Sequence, residues 1–165
     1  MTAGPQAPAT PPLSVSVALC TWNGARFVRE QVRSICLQTR PPQEIVLSDD
    51  ASTDDCVAVA RAALQECLSE RPGLEITLRV LANPVALRVT KNFEQAVRAC
   101  SGALIALSDQ DDLWLPDRLA MIVAQFEQRP DLLLLHTDAR LVDAGGAPLG
   151  DTLFHALEVQ PNELA

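Results

Sequence analysis

The 165 residues carry 21 Asp and Glu against 13 Lys and Arg, a formal net charge of −8, and 48% of them are apolar. That is long and apolar enough to bury a sizeable core, and too acidic for nucleic acid or an anionic membrane surface to be the partner. No apolar run reaches the roughly 20 residues of a membrane-spanning helix, and the N-terminus lacks the basic and apolar regions of a secretory signal.

Residues 1–13 (MTAGPQAPATPPL) are rich in Pro and Ala and have no periodicity, so they are predicted to be a disordered lead to a domain over 14–165. Val15–Cys20 is an apolar, β-branched run suited to a buried strand, and Asn23-Gly24 marks the turn after it. Val28, Val32, Ile35 and Cys36 then recur as one face of a helix. Ile45–Ser48 is predicted to be the second strand, followed by Asp49-Asp50-Ala51-Ser52-Thr53-Asp54. Ser52 with Asp55 three residues on resembles a capping box for a helix whose buried face is Val57, Ala60, Leu64 and Cys67. Glu75–Leu81 alternates like a strand. Phe93, Ala96, Val97 and Cys100 mark a third helix, stopped at Gly102. Ala103–Ser108 is a strand closed by Asp109-Gln110-Asp111-Asp112, and Pro116 suits the first residue of a helix that buries Leu119, Ile122, Val123 and Phe126. Leu132–His136 is predicted to be a further strand, and Ala144-Gly145-Gly146 a hairpin turn. The five cysteines are odd in number and include no CxxC pair, which indicates neither a disulfide framework nor a zinc site. Cys36, Cys67 and Cys100 fall on apolar stripes as small buried hydrophobes, and reduced thiols fit a cytoplasmic location.

Strands alternating with helices at this spacing predict an α/β fold with a mostly parallel sheet and helices on both faces. Ligands of such sheets bind beyond the carboxyl ends of the strands. Three of those ends carry polar clusters: Thr21-Trp22-Asn23, Asp49-Asp50, and Asp109, Asp111 and Asp112. Five carboxylates on one edge repel each other unless a cation sits among them, and oxygen donors of this kind suit Mg²⁺ or Mn²⁺. The loop is not an EF-hand, because Leu113 stands at a ligand position and the required Gly is missing. Trp22 offers a flat face for a nucleobase. Each cluster also has a plainer reading: Asp49-Asp50 as a strand-end Asx turn, Asp109–Asp112 as a solvated loop, Trp22 as core, Arg88 as a surface ion pair. A phosphoacceptor receiver also has paired Asp and a parallel sheet, but it needs a single Asp after its third strand and a Lys after its last. The dense acidic cluster and the Lys-free Leu132–His136 fit it poorly.

The stretch from Ser14 to about Gly146 resembles glycosyltransferase family 2, with the GT-A fold. The resemblance rests on VSVALCTWNGARFVREQVRSICLQT, EIVLSDDASTDD, KNFEQAVRACSG and above all ALIALSDQDDLWLPDRL. The SDQDDLW and KNFEQA wording also resembles the rhamnosyltransferase-like branch. The family implies a Rossmann-like domain that binds a UDP- or dTDP-linked sugar with Mg²⁺ or Mn²⁺. It further implies transfer of the sugar, with inversion, to a hydroxyl of a saccharide or lipid-linked acceptor in cell-surface polysaccharide synthesis. By the same resemblance Asp109 contacts the ribose and Asp111 ligates the metal, the two forming the metal motif. Asp49 accepts a bond from the base, Asp50 supports that loop, Thr21, Trp22 and Asn23 lie where the base is contacted, and Arg88 lies near the base. Cys20 stands where the family usually has Pro, and the loop NPVALRVTK over 83–91 lacks a Gly commonly found there. The general base and the acceptor-binding elements are expected beyond residue 165, so the chain is expected to be incomplete on its C-terminal side and no catalytic base is assigned within it. A truncated, non-catalytic nucleotide-sugar-binding domain is the alternative. Peripheral attachment to the inner membrane face stays open beside a cytoplasmic location.

Overall fold

The computed structural model describes residues 12–159 and divides into two compact units, one through Pro130 and one from Asp131. In the first, β1 (Val15–Thr21), β2 (Glu44–Asp49), β3 (Thr77–Ala82) and β4 (Leu104–Asp109) form a parallel sheet in the order β3-β2-β1-β4. Every residue of β1 is buried, as a central strand covered on both faces requires. The register pairs Thr21 with Asp49 and Cys20 with Asp109, so the polar ends of β1, β2 and β4 fall on one edge.

The helices are α1 (Val28–Cys36), α2 (Cys56–Glu70), α3 (Arg88–Ala99) and α4 (Arg118–Gln128). Val17, Leu19, Ile45 and Leu47 form one core with Val28, Val32 and Ile35 of α1, Ala60 and Leu64 of α2, and Leu119 and Val123 of α4. On the other face Ala18, Cys20 and Val46 pack against Phe93, Ala96 and Val97 of α3. The fold class and the stripes of α1 to α3 are thus as predicted, while in α4 Leu119 and Val123 are buried and Ile122 and Phe126 only half-buried; each large apolar side chain taken out of water in this way contributes about 1.5–3 kcal/mol.

Local details differ from the sequence reading. Leu13 is part of the fold: it packs on the core, and its carbonyl accepts from Arg40 Nη2 at 3.0 Å. Of the rest of the proposed lead, Pro12 is exposed and residues 1–11 lie outside the described residues. No capping box starts α2. The helix starts at Cys56 with Asp55 as an N-cap that makes no side-chain cap bond, and the Ser52 hydroxyl, three residues before it, donates to the buried carboxylate of Asp49, 2.6 Å away. Pro116 precedes α4 in a turn, with its carbonyl accepting from Thr39 N at 2.9 Å. The helix before Gly102 ends at Ala99 on an extended Cys100, and what requires glycine at 102 is crowding. A Cβ there would stand 2.6 Å from Ser16 N and Oγ.

In the second unit β5 (Arg140–Val142) and β6 (Pro148–Thr152) make an antiparallel hairpin, followed by α5 (Leu153–Ala156). The expected turn at Ala144-Gly145-Gly146 is there, clasped by Asp143 Oδ1, which accepts from Gly145 N at 2.8 Å and Ala147 N at 2.9 Å. The expected strand at Leu132–His136 does not form, since that run is paired to neither sheet and an extended segment without a ladder partner satisfies none of its backbone groups. Among the described residues no helix is long and apolar enough to cross a membrane. All five cysteines are free thiols, and Cys36 and Cys67 are buried as expected while Cys100 is half-buried.

Replacing Gly102 by Ala is expected to lower stability by about 1–3 kcal/mol, because the backbone of β1 must move to admit the methyl group. Urea unfolding of the two chains measures this as a drop in midpoint at unchanged slope.

Candidate functional site

A cleft of about 230 Å³ opens at the carboxyl edge of the sheet. Thr21, Trp22, Asp50, Asp109 and Asp111 line it, with Cys20, Gln110 and the α3 residues Val89, Asn92 and Phe93. Trp22 forms one side of the cleft and is 62% exposed. A larger groove of about 710 Å³ runs along β3 and α3, but the strand-end carboxylates are not in it.

Of the candidate residues, Asp49, Asn23 and Arg88 do not line the cleft. Asp49 is the last residue of β2 and Asp50 the first beyond it, and the alternation of successive extended residues sends their side chains to opposite faces. Asp49 turns toward α2. Its Oδ1 accepts from Thr21 Oγ1 at 2.8 Å, Ser52 Oγ at 2.6 Å and Cys56 Sγ at 3.0 Å, and its Oδ2 from Ser52 N at 3.0 Å. Burial alone would raise this carboxyl, but the bonds from Ser52, Cys56 and Thr21 together hold it below the ordinary 3.8. Asp50 turns toward the cleft and α3: Oδ1 accepts from Leu87 N at 2.6 Å and Asn83 Nδ2 at 3.2 Å, Oδ2 from Arg88 N at 2.8 Å. The acid that faces the cleft is therefore Asp50, and Asp49 anchors the loop from beneath. Arg88 takes part through its backbone, held by Asp50 at φ 68°, with an exposed side chain. Asn23 also has left-handed backbone, φ 48°, and its side-chain oxygen accepts from Thr53 N at 2.8 Å, tying the first loop to the second.

The acidic loop after β4 is held by residues that carry no charge. From α1, the Gln31 side-chain oxygen accepts from Ser108 Oγ at 2.5 Å and Trp114 Nε1 at 3.2 Å, and its nitrogen donates to Ser34 Oγ at 2.9 Å and to the Asp112 carbonyl. One turn on, Ser34 Oγ accepts from Trp114 N at 3.1 Å. Gln38 Nε2 donates to the Leu115 carbonyl at 2.8 Å, and its oxygen accepts from Leu119 N at 2.9 Å. On the outer side the Gln110 amide meets the backbone of Trp22. On the α3 wall, Asn92 Nδ2 donates to the Ser48 carbonyl at 2.9 Å and its oxygen accepts from Ser48 Oγ at 2.6 Å. The sequence reading missed these supports. Gln31, Ser34 and Gln38 at helical spacing beside the apolar stripe of α1 were the available signal.

The loop gathers three acids, Asp109, Asp111 and Asp112, of which Asp109 and Asp111 line the cleft. The Asp109 carboxyl is pushed up, first by loss of water around it and then by the negative charges of Asp112 and Asp111. Asp112 is also pushed up, by burial and by Asp111, against the pull of Arg118. Among the described residues no three His, Cys, Asp or Glu side chains form a ready metal cage. Asp109 and Asp111 beside an open cleft instead fit the kind of site in which one or two carboxylates hold a divalent cation and leave positions for a ligand.

The model of glycosyl transferase family 2 matches residues 16–160, and the chain belongs to that family. Chondroitin synthase of Escherichia coli is 27% identical over 132 residues, which cover 80% of this chain and 18% of the synthase. An uncharacterised glycosyltransferase of a Nostoc species is 28% identical over 124 residues, 75% of this chain and 36% of that protein. The chain spans 14%, 34% and 36% of the lengths of three curated relatives, about a third or less. Among solved structures, Staphylococcus aureus TarS with UDP matches with a TM-score of 0.61 at 20% identity, over 72% of this chain and 33% of that one, a likeness of fold. The mannosyltransferase PcManGT of Pyrobaculum calidifontis, in complex with GDP-Man and Mn²⁺, matches with a TM-score of 0.52 at 27% identity, over 70% of this chain and 32% of that one. The fold is thus the GT-A type that the sequence resembles.

Because its carboxyl is raised in the folded chain, ionised Asp109 destabilises the fold above the ordinary 3.8 and has no effect well below it. Asp109→Asn is therefore expected to raise the melting temperature at pH 7 without divalent cations, with the gain fading as the pH falls to about 3. Thermal melts across that range measure it.

Proposed function

We propose that this chain is the donor-binding half of a metal-dependent, inverting glycosyltransferase that takes a sugar linked to UDP or dTDP. The observation that carries this is the meeting, at one strand edge, of an exposed aromatic ring with the carboxylates of Asp50, Asp109 and Asp111. A nucleoside diphosphate needs those features: a flat apolar face for the base, acceptors for base and ribose, and a way to hold negative phosphates on a chain of charge −8. The relative solved with GDP-Man and Mn²⁺ supports the same reading.

In this reading Trp22 stacks on the base, beside the wall formed by Asp50, Asn92 and Phe93. Asp49 keeps the β2 loop in place from below, the part nearest to the base contact that the family resemblance implies for it. Asp109 accepts from the ribose hydroxyls, and Asp111 with Asp109 would hold Mg²⁺ or Mn²⁺. That cation supplies Lewis-acid stabilisation of the charge that grows on the departing diphosphate. The site would hold the donor with its anomeric carbon toward the open mouth, where an acceptor hydroxyl of a saccharide or lipid-linked acceptor approaches. The rhamnosyltransferase-like wording of SDQDDLW makes dTDP the competing carrier to UDP. Because the chain spans less than half the length of its curated relatives, donor binding is the activity proposed for it, and transfer is proposed for the whole protein. A cytoplasmic location, with or without attachment to the inner membrane face, fits such donors.

Calorimetry with UDP and with dTDP, in Mn²⁺ and in EDTA, tests this. Binding of at least one nucleotide is expected in Mn²⁺, weakened about tenfold or more by EDTA or by Asp111→Ala. Absence of binding for both nucleotides in Mn²⁺ overturns the reading.

A further inference from the structure

We propose that Gln110, the middle residue of the acidic loop, is a positioning residue that fixes the Trp22 platform against the metal-binding turn. This rests on the donor-binding reading above. Gln110 Oε1 accepts from Trp22 N at 2.8 Å, and Gln110 Nε2 donates to the Trp22 carbonyl at 3.1 Å. A primary amide thus pairs with both polar groups of one residue's backbone, across 88 positions of sequence. Trp22 lies just past the end of β1, where the ladder to β2 and β4 stops, so its backbone groups have no strand partner. Its side chain is exposed, so packing does not fix the ring. The amide supplies the restraint that packing does not.

A second observation points the same way. A Cβ at Gly24 would overlap Gln110 Oε1 and Cδ, so the turn after Trp22 is shaped to admit this side chain. From the opposite side Asn23 N donates to Ser52 Oγ at 2.9 Å and Ala25 N to Asp54 Oδ2 at 2.9 Å. The segment from Trp22 to Ala25 is therefore clamped between the β2 loop and Gln110. Chemistry favours an amide at position 110. A carboxylate cannot donate to the Trp22 carbonyl and would add repulsion to Asp109 and Asp111, while Lys or Arg cannot accept from the Trp22 N–H and would place a fixed cation where a divalent one belongs. Gln110 offers one donor and one acceptor with no charge. In this proposal it acts through Trp22, whose backbone it holds.

The test is the affinity of the tighter-binding of UDP and dTDP at saturating Mn²⁺, measured by calorimetry on the native chain, Gln110→Ala, Trp22→Ala and the double variant. Gln110→Ala and Trp22→Ala are each expected to weaken the nucleotide about tenfold, and the double variant to be no weaker than Trp22→Ala within about twofold, since the clamp has nothing to position once the ring is gone. Gly24→Ala, which expels the amide without altering it, is expected to reproduce the loss. Affinity for Mn²⁺ alone is expected to stay within about twofold of native in Gln110→Ala, which separates positioning from damage to the loop. Native affinity in Gln110→Ala, or losses that multiply in the double variant, overturns the inference. A native chain that binds neither nucleotide fails differently, removing the donor-binding reading itself and this inference with it.

Discussion

The structure depends on keeping several carboxylates close together at the end of β4 without neutralising them. Asp109 and Asp112 are pushed toward protonation by loss of water and by their acidic neighbours. What holds their loop is a set of amides and hydroxyls. Gln31 and Ser34 of α1, with Gln38 just past its end, reach to backbone groups of Asp112, Trp114, Leu115 and Leu119. Neutral tethers restrain the chain while leaving its negative potential available to a ligand cation.

The parallel sheet supplies the rest of the geometry. A register that places Thr21 opposite Asp49 and Cys20 opposite Asp109 brings loops some 30 and 90 residues apart in sequence to one rim. The two-residue alternation of strands then divides the labour at the end of β2. Asp49 goes down into the α2 side, gathering Thr21, Ser52 and Cys56, and Asp50 goes up to hold the start of α3. One dipeptide thereby holds the loop before α2 on one side and the start of α3 on the other.

Much of this was legible in the sequence, because the strands and helices follow strong periodicities. Val28, Val32, Ile35 and Cys36 are all buried as the stripe implies, and β1, β2 and β4 each extend only a residue or so from their predicted bounds. Three strand ends bearing acids or an aromatic also predicted one shared rim, although Asp50, Asp109 and Asp111 line the cleft rather than all five acids. What escaped was decided by competition between local and tertiary partners. Ser52 could cap α2 or bind Asp49, and a buried carboxylate is the stronger attraction. Leu132–His136 has strand-like residues, but pairing belongs to two segments and cannot be read from one. Gln31 and Gln38 look like the wet side of an amphipathic helix until the loop they hold is placed over them.

The choice of amides over cations as tethers has a consequence for the kind of ligand the site can take. A lysine or arginine fixed among Asp109 and Asp111 would steady the loop more strongly, since charged bonds exceed neutral ones. It would also cancel the field that draws a divalent ion and leave a permanent counter-charge in competition with it. Here Arg118 stacks on the Trp114 ring at 4.9 Å and bears on Asp112, the acid that does not line the cleft, whereas Asp109 and Asp111 flank the uncharged Gln110. The fixed positive charge thus stands behind the loop and not among the acids that face the cleft. A site arranged in that way is better matched to a ligand that arrives with its own cation than to a free anion, and a diphosphate carrying Mg²⁺ or Mn²⁺ is such a ligand.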